Sequence, residues 1–167
     1  MKVRGGILLC FLGIGSVFYA GQSSYRPPFR TLSLSQRAHI LDGQFTIQKD
    51  VNQLPTGLKV QFARLAGEKD FKMANPGEEY QSTDVIMRPG LPRRRLLFAG
   101  MSNDKIFIFY EEGGYSHSSH VAVFDLDPQR KVTFLWMGIG TRGATSLKQL
   151  RMMVTAGDFA DDRAYYW

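Results

Sequence analysis

Between Arg95 and Gly138 strand-forming and turn-forming residues alternate without interruption, and no other part of the chain limits the fold as strongly. Arg95–Met101 is largely apolar and ends at the polar turn Ser102-Asn103-Asp104. Lys105–Glu111 follows, with only β-branched or aromatic residues from Ile106 to Tyr110, which is the composition of a pleated, packed segment. A longer connection from Glu112 to Ser119 leads into His120–Leu126. Asp127-Pro128-Gln129-Arg130 then places proline where a type I turn wants its φ preset, and Lys131–Met137 is the fourth strand. Four such runs in chain order predict an antiparallel meander.

Successive side chains of a strand point to opposite faces. Ile106 and Ile108 therefore share one face and Phe107 and Phe109 the other, while Val132, Phe134 and Trp136 oppose Leu135 and Met137. Both faces are apolar, so both must be covered, or one is left for a ligand. The expected core contains Phe107, Ile108, Val123, Phe134 and Leu135. Helices are expected on one face, and residues 58–87 on the other as a sandwich or partial barrel. The fold class is α+β: an antiparallel β meander of four to six strands packed against one to three short helices, after an N-terminal signal segment.

The flanking elements are read from caps and spacing. Ser35 caps a short helix Gln36–Leu41 with Gly43 just past its end, the alternative being a hairpin turned at Asp42-Gly43. Ile47, Val51 and Leu54 recur at helical spacing after Thr46, and Pro55 with Gly57 ends that pattern. Leu58-Lys59-Val60-Gln61-Phe62 alternates apolar and polar residues, so it reads as a strand with one wet face. Residues 67–90 are polar and turn-rich, with one short strand expected around Tyr80–Met87. Behind the meander, Gly138–Gly143 reads as a connection that needs positive φ. Thr145 or Ser146 then caps an amphipathic helix to Ala156, buried along Leu147, Leu150 and Val154 with Met153 alongside, and stopped by Gly157. The tail from Asp158 to Trp167 is acidic, then aromatic.

The first twenty residues have a signal-peptide pattern: Lys2 and Arg4 precede an apolar run from Ile7 to Phe18. About twelve helical residues rise only about 18 Å, short of the roughly 30 Å of a bilayer core, which favours a cleaved signal over an anchor at residues 7–20. Residues 21–30 hold Arg26-Pro27-Pro28 and form an extended linker, and residues 31–167 form a single domain. Cys10 is the single cysteine and lies in the apolar run, so disulfides contribute nothing to the exported part. Removing Lys2 and Arg4 from a net charge of +6 leaves +4, a balance that suits anionic surfaces without demanding one.

Chemistry-bearing residues concentrate in Glu111–His120, where two of the three histidines, two carboxylates, Tyr115 and Ser116, Ser118 and Ser119 fall within ten residues. This connection is longer than hairpin closure requires, which marks it as the candidate functional surface. His117 and His120 with Glu111 or Glu112 could hold a divalent metal, but His-x-x-His in a loop lacks the i, i+4 spacing of the helical zinc motif, so no metal or cofactor is expected. Serine beside histidine in sequence is not a triad, and no Gly-x-Ser-x-Gly elbow occurs. Gly138–Gly143 lacks the lysine of a phosphate loop. Arg93, Arg94 and Arg95 form the densest basic patch, without an RNA-binding signature.

The expected binding residues are Glu111, Tyr115, His117, His120, Arg93, Arg94 and Arg95. The expected function is that of an exported, periplasmic or extracellular, non-catalytic binding module. Its partner would be a small ligand, an envelope polymer or another protein; nucleic acid is disfavoured, and membrane contact is confined to an uncleaved N-terminus. The alternative is a small hydrolase or metal-dependent enzyme built on residues 111–120.

Overall fold

A computed structural model describes residues 31–85, 88–114 and 117–162. The meander is its centre: β2 (Arg94–Met101), β3 (Lys105–Glu112), β4 (Ser118–Leu126) and β5 (Val132–Gly140). With β1 (Thr46–Gln48) on one edge and β6 (Ala160–Asp161) on the other, they form one six-stranded antiparallel sheet in chain order. Side chains close the turns. Lys105 N–H donates to Ser102 Oγ at 2.9 Å, and Lys131 N–H donates to Asp127 Oδ1 at 2.8 Å. Arg130 takes the left-handed position after Pro128-Gln129, at φ 64°, which lets a type I turn close a hairpin.

The apolar alternation of β3 sorts the core into two halves. Ile106, Ile108 and Tyr110 lie with Leu58, Phe62 and Leu65 of α2 (Thr56–Leu65). Phe107 and Phe109 lie with Ile40 of α1 (Leu34–Ile40) and Leu150, Met153 and Val154 of α3 (Leu147–Ala156). The α+β expectation therefore holds, with one sheet and three helices. A sandwich or partial barrel does not form, because α2 covers the second face.

Residues 58–62 were expected to be a strand and are helical. Leu58 and Phe62 satisfy both i, i+2, i+4 and i, i+4 spacing, and Val60 decides between them. A strand would bury Val60 beside them; it is 59% exposed, while Leu65 completes the i, i+4, i+7 stripe. The faces expected for β5 need a second correction. Phe124 pairs with Phe134 but Val123 with Trp136, so Leu135 is the extra residue of a β-bulge, which resets the alternation. Trp136 consequently joins Leu135 against α1 and α3, and Met137 joins Val132 and Phe134 beneath α2. Of the five expected core residues, Phe107, Ile108, Val123 and Phe134 are buried, and Leu135 is half-buried.

Helix α1 starts two residues earlier than expected, at Leu34, and ends at Ile40. Ser33 caps it, accepting from Gln36 N–H at 3.3 Å while Gln36 Oε1 accepts from Ser33 N–H at 2.9 Å, a reciprocal capping box. The helical spacing of Ile47, Val51 and Leu54 is not used: Thr46–Gln48 pairs with Met101–Ala99, and Val51–Gln53 is a 3₁₀ turn capped by Asp50. No strand occupies the described part of residues 80–87; Thr83 makes a single bridge to Gly114. Helix α3 is capped by Ser146 and stopped by Gly157 at φ 80°, as expected.

The glycines after Met137 belong to β5 and serve close approach. A Cβ on Gly138 would fall 2.5 Å from Trp136 Cη2 and 2.9 Å from Phe159 Cβ. That gap admits the Trp136 ring, Gly140 does the same for the Phe159 ring, and the short strand β6 pairs Asp161 with Gly138. The signal segment, linker and aromatic tail end fall outside the described residues. Among those described, no helix is long and apolar enough to cross a membrane.

Candidate functional site

Strand register gathers the polar residues at one end of the sheet. Arg94 faces Glu112, Glu112 faces Ser118, and Tyr110 faces His120 across successive strands. These residues share the α2 face, since they alternate in phase with Leu96 and Ala122. Arg94, 5% exposed, donates to Glu68 Oε1 at 2.6 Å and to both oxygens of Glu112 at 3.2 Å. Its guanidinium also lies 5.7 Å from the centre of the Phe62 ring. His120 stacks on Tyr110 at 5.0 Å and 10°. Its Nδ1 is 2.6 Å from Asp162 Oδ2, and its Nε2 is 2.8 Å from Ser118 Oγ. Asp162 arrives by way of β6, its N–H bonded to Met137 O at 3.0 Å.

On the other face Arg95 and Glu111 pair. Arg95 donates to Glu111 Oε2 at 2.7 Å, Tyr80 Oη donates to the same oxygen at 3.4 Å, and His117 Nε2 lies 3.5 Å from Glu111 Oε1. The Arg95 guanidinium sits 4.5 Å over the Tyr80 ring, a cation–π contact. Burial, then the Glu111 carboxylate, push the Tyr80 phenol above its ordinary pKa against the opposing pull of Arg95. Tyr80 is accordingly held as a neutral donor to Glu111.

Backbone crossings make this end rigid. Gln81 N–H bonds Pro92 O at 2.8 Å, and Gly113 N–H bonds Arg93 O at 3.0 Å. A Cβ on Gly113 would lie 1.9 Å from Gln81 O, so only glycine lets the 80–83 segment cross the hairpin base. Because β3 extends to Glu112 and β4 starts at Ser118, the connection is residues 113–117. That is an ordinary hairpin length. The expectation of a loop longer than closure requires is therefore corrected, and Glu111, Glu112 and His120 are strand residues.

The seven expected binding residues divide. Arg93 and His117 are exposed, and Arg95 and Glu111 lie half-buried beside His117. Arg94 and His120 are buried in the α2-face network, while Tyr115 and Ser116 fall outside the described residues. The two imidazoles approach different carboxylates and do not converge. Among the described residues no group of three or more His, Cys, Asp or Glu side chains is placed to hold a metal ion. A shallow surface pocket of about 320 Å³ on α2, beside Lys59, Arg64 and Phe71, shares Glu68 with the network but not Ser118, His120 or Asp162. Sequence reasoning missed Glu68, Tyr80 and Asp162, all contributed by segments that lack a periodic signature. Comparison with protein-family models, with curated proteins and with solved structures finds no match for this chain.

Proposed function

We propose that the chain is an exported binding module whose recognition surface is the sheet end formed by Arg93, Arg95, Tyr80, Glu111 and His117. The observation that carries this reading is the preorganisation of that surface. Glu111 accepts from Arg95 and Tyr80 and lies 3.5 Å from His117 Nε2, and the crossing at Gly113 fixes the strand roots beneath them. Groups already held in one geometry lose little entropy on binding. Arg93 and His117 are both exposed, a guanidinium matches phosphate or carboxylate, and we infer that the partner is an anionic polymer of the cell envelope. Export rests on the short, positively flanked apolar run at Ile7–Phe18.

Two measurements test the reading. Intact mass of the native protein should show loss of about twenty residues; full-length chain in the soluble cytoplasm would overturn export. In cosedimentation with purified sacculi carrying anionic polymer, the double variant Arg93→Ala, His117→Ala should bind at least about tenfold more weakly, the equivalent of about 1.4 kcal/mol. Its thermal midpoint should stay near that of the parent. Equal retention of parent and variant, or retention of neither, would dismiss this surface.

A further inference from the structure

We propose that Ser118 is a base-activated nucleophile that reacts with O-acyl esters, using His120 as its base and Asp162 to position that base. Ser118 and His120 are two residues apart on β4, so their side chains rise from the same face. Asp162 follows the edge strand β6, 42 residues later in the chain. The hydroxyl is 2.8 Å from Nε2 and the carboxylate 2.6 Å from Nδ1. A carboxylate only accepts, so Nδ1 carries the ring proton and Nε2 is left to accept from the serine hydroxyl. That is the tautomer a nucleophilic serine requires.

The surroundings support the assignment. His120 and Asp162 are 3% and 1% exposed, whereas Ser118 is half-buried, so the base is sheltered and the serine is the less buried member of the set. Stacking on Tyr110 at 5.0 Å fixes the imidazole plane. A pin for β6 would need only the His120–Asp162 bond; the hydroxyl on the opposite nitrogen is what makes a relay. Glu112 Oε2 is 4.0 Å from Nε2, beyond hydrogen-bond reach, and Arg94 bonds both of its oxygens.

The reaction balances without a co-reactant other than water. Ser118 Oγ bonds to the acyl carbon as its proton passes to His120 Nε2. The ester C–O bond then breaks, and the proton leaves with the alcohol. Water repeats the sequence in reverse, giving the carboxylic acid and the free serine. Covalent capture of the serine is the readout, because it reports the activated hydroxyl whatever the turnover.

The test treats the mature chain with a fluorophosphonate and maps the label by peptide mass spectrometry. Serine oxygen displaces fluoride from phosphorus while the proton passes to His120, so the label reports an activated hydroxyl. A single label on Ser118 is expected, absent in Ser118→Ala, which removes one oxygen from a half-buried residue. Asp162→Asn should slow labelling by about 10²-fold or more and change its pH profile, since the amide favours the wrong ring tautomer. An unlabelled folded parent would overturn the proposal. So would a label that survives Ser118→Ala, or an Asp162→Asn variant with the parent's rate and pH profile. Arg93 and His117 take no part in this relay, so the binding reading and this one fail separately.

Discussion

Replacing Phe107 with alanine is expected to lower the free energy of unfolding by about 3–5 kcal/mol, with Phe134→Ala close behind. Phe107 is fully buried at the middle of β3, edge-on to Phe45 at 5.1 Å and to Phe98 at 5.9 Å. Its ring also fills the space a Cβ on Gly100 would occupy, 2.2 Å from Cε1. The small residue on β2 and the large one on β3 are thus a matched pair, and truncation leaves a cavity that a rigid sheet cannot close. Phe134 serves the other half-core, edge-on to Phe124 at 5.9 Å beneath α2. A loss of this size is a large part of the roughly 5–15 kcal/mol that a domain possesses. Urea midpoints of both variants measure it. Unchanged midpoints would mean that the two halves of the core do not carry the fold.

The meander was legible because its strands signal twice, once by apolar, β-branched or aromatic composition and once by a turn whose side chains bond its own backbone. Ser102 and Asp127 are such residues. What surrounds the sheet was less legible, for reasons visible in single residues. Leu58, Val60 and Phe62 fit two periods at once, and only burial shows that Val60 is the one left out. The bulge at Leu135 carries no local signal, since it is a property of pairing with β4. Strand β6 is two residues long and owes its place to the glycines of β5. The candidate site was legible to the extent that Glu111–His120 was singled out. Its division between two faces follows from strand alternation once Glu111, Glu112 and His120 are known to be strand residues. Asp162 could not be found this way, because it reaches His120 from a segment with no periodicity of its own.

Arg94 and Arg93 are neighbours in one basic run, and they should respond to mutation in opposite ways. Arg94→Met is expected to cost about 3–5 kcal/mol, the range for removing one partner of a buried ion pair. Its side chain is 7% exposed and neutralises Glu68 and Glu112 together. Methionine would fill the volume over Phe62 but leave two carboxylates without their shared cation. Arg93→Ala, at an exposed position, should stay within about 0.5 kcal/mol of the parent. The origin of the Arg94 effect has its own check: Glu112→Gln added to Arg94→Met should restore part of the loss, because it removes one of the two charges that Arg94 neutralises, and contacting residues of this kind couple by about 0.5–3 kcal/mol. Equilibrium urea unfolding of the three variants decides the matter. Similar, small losses for Arg94→Met and Arg93→Ala would show that the buried network is not structural, and no recovery in the double variant would place the cost in packing over Phe62 and not in charge.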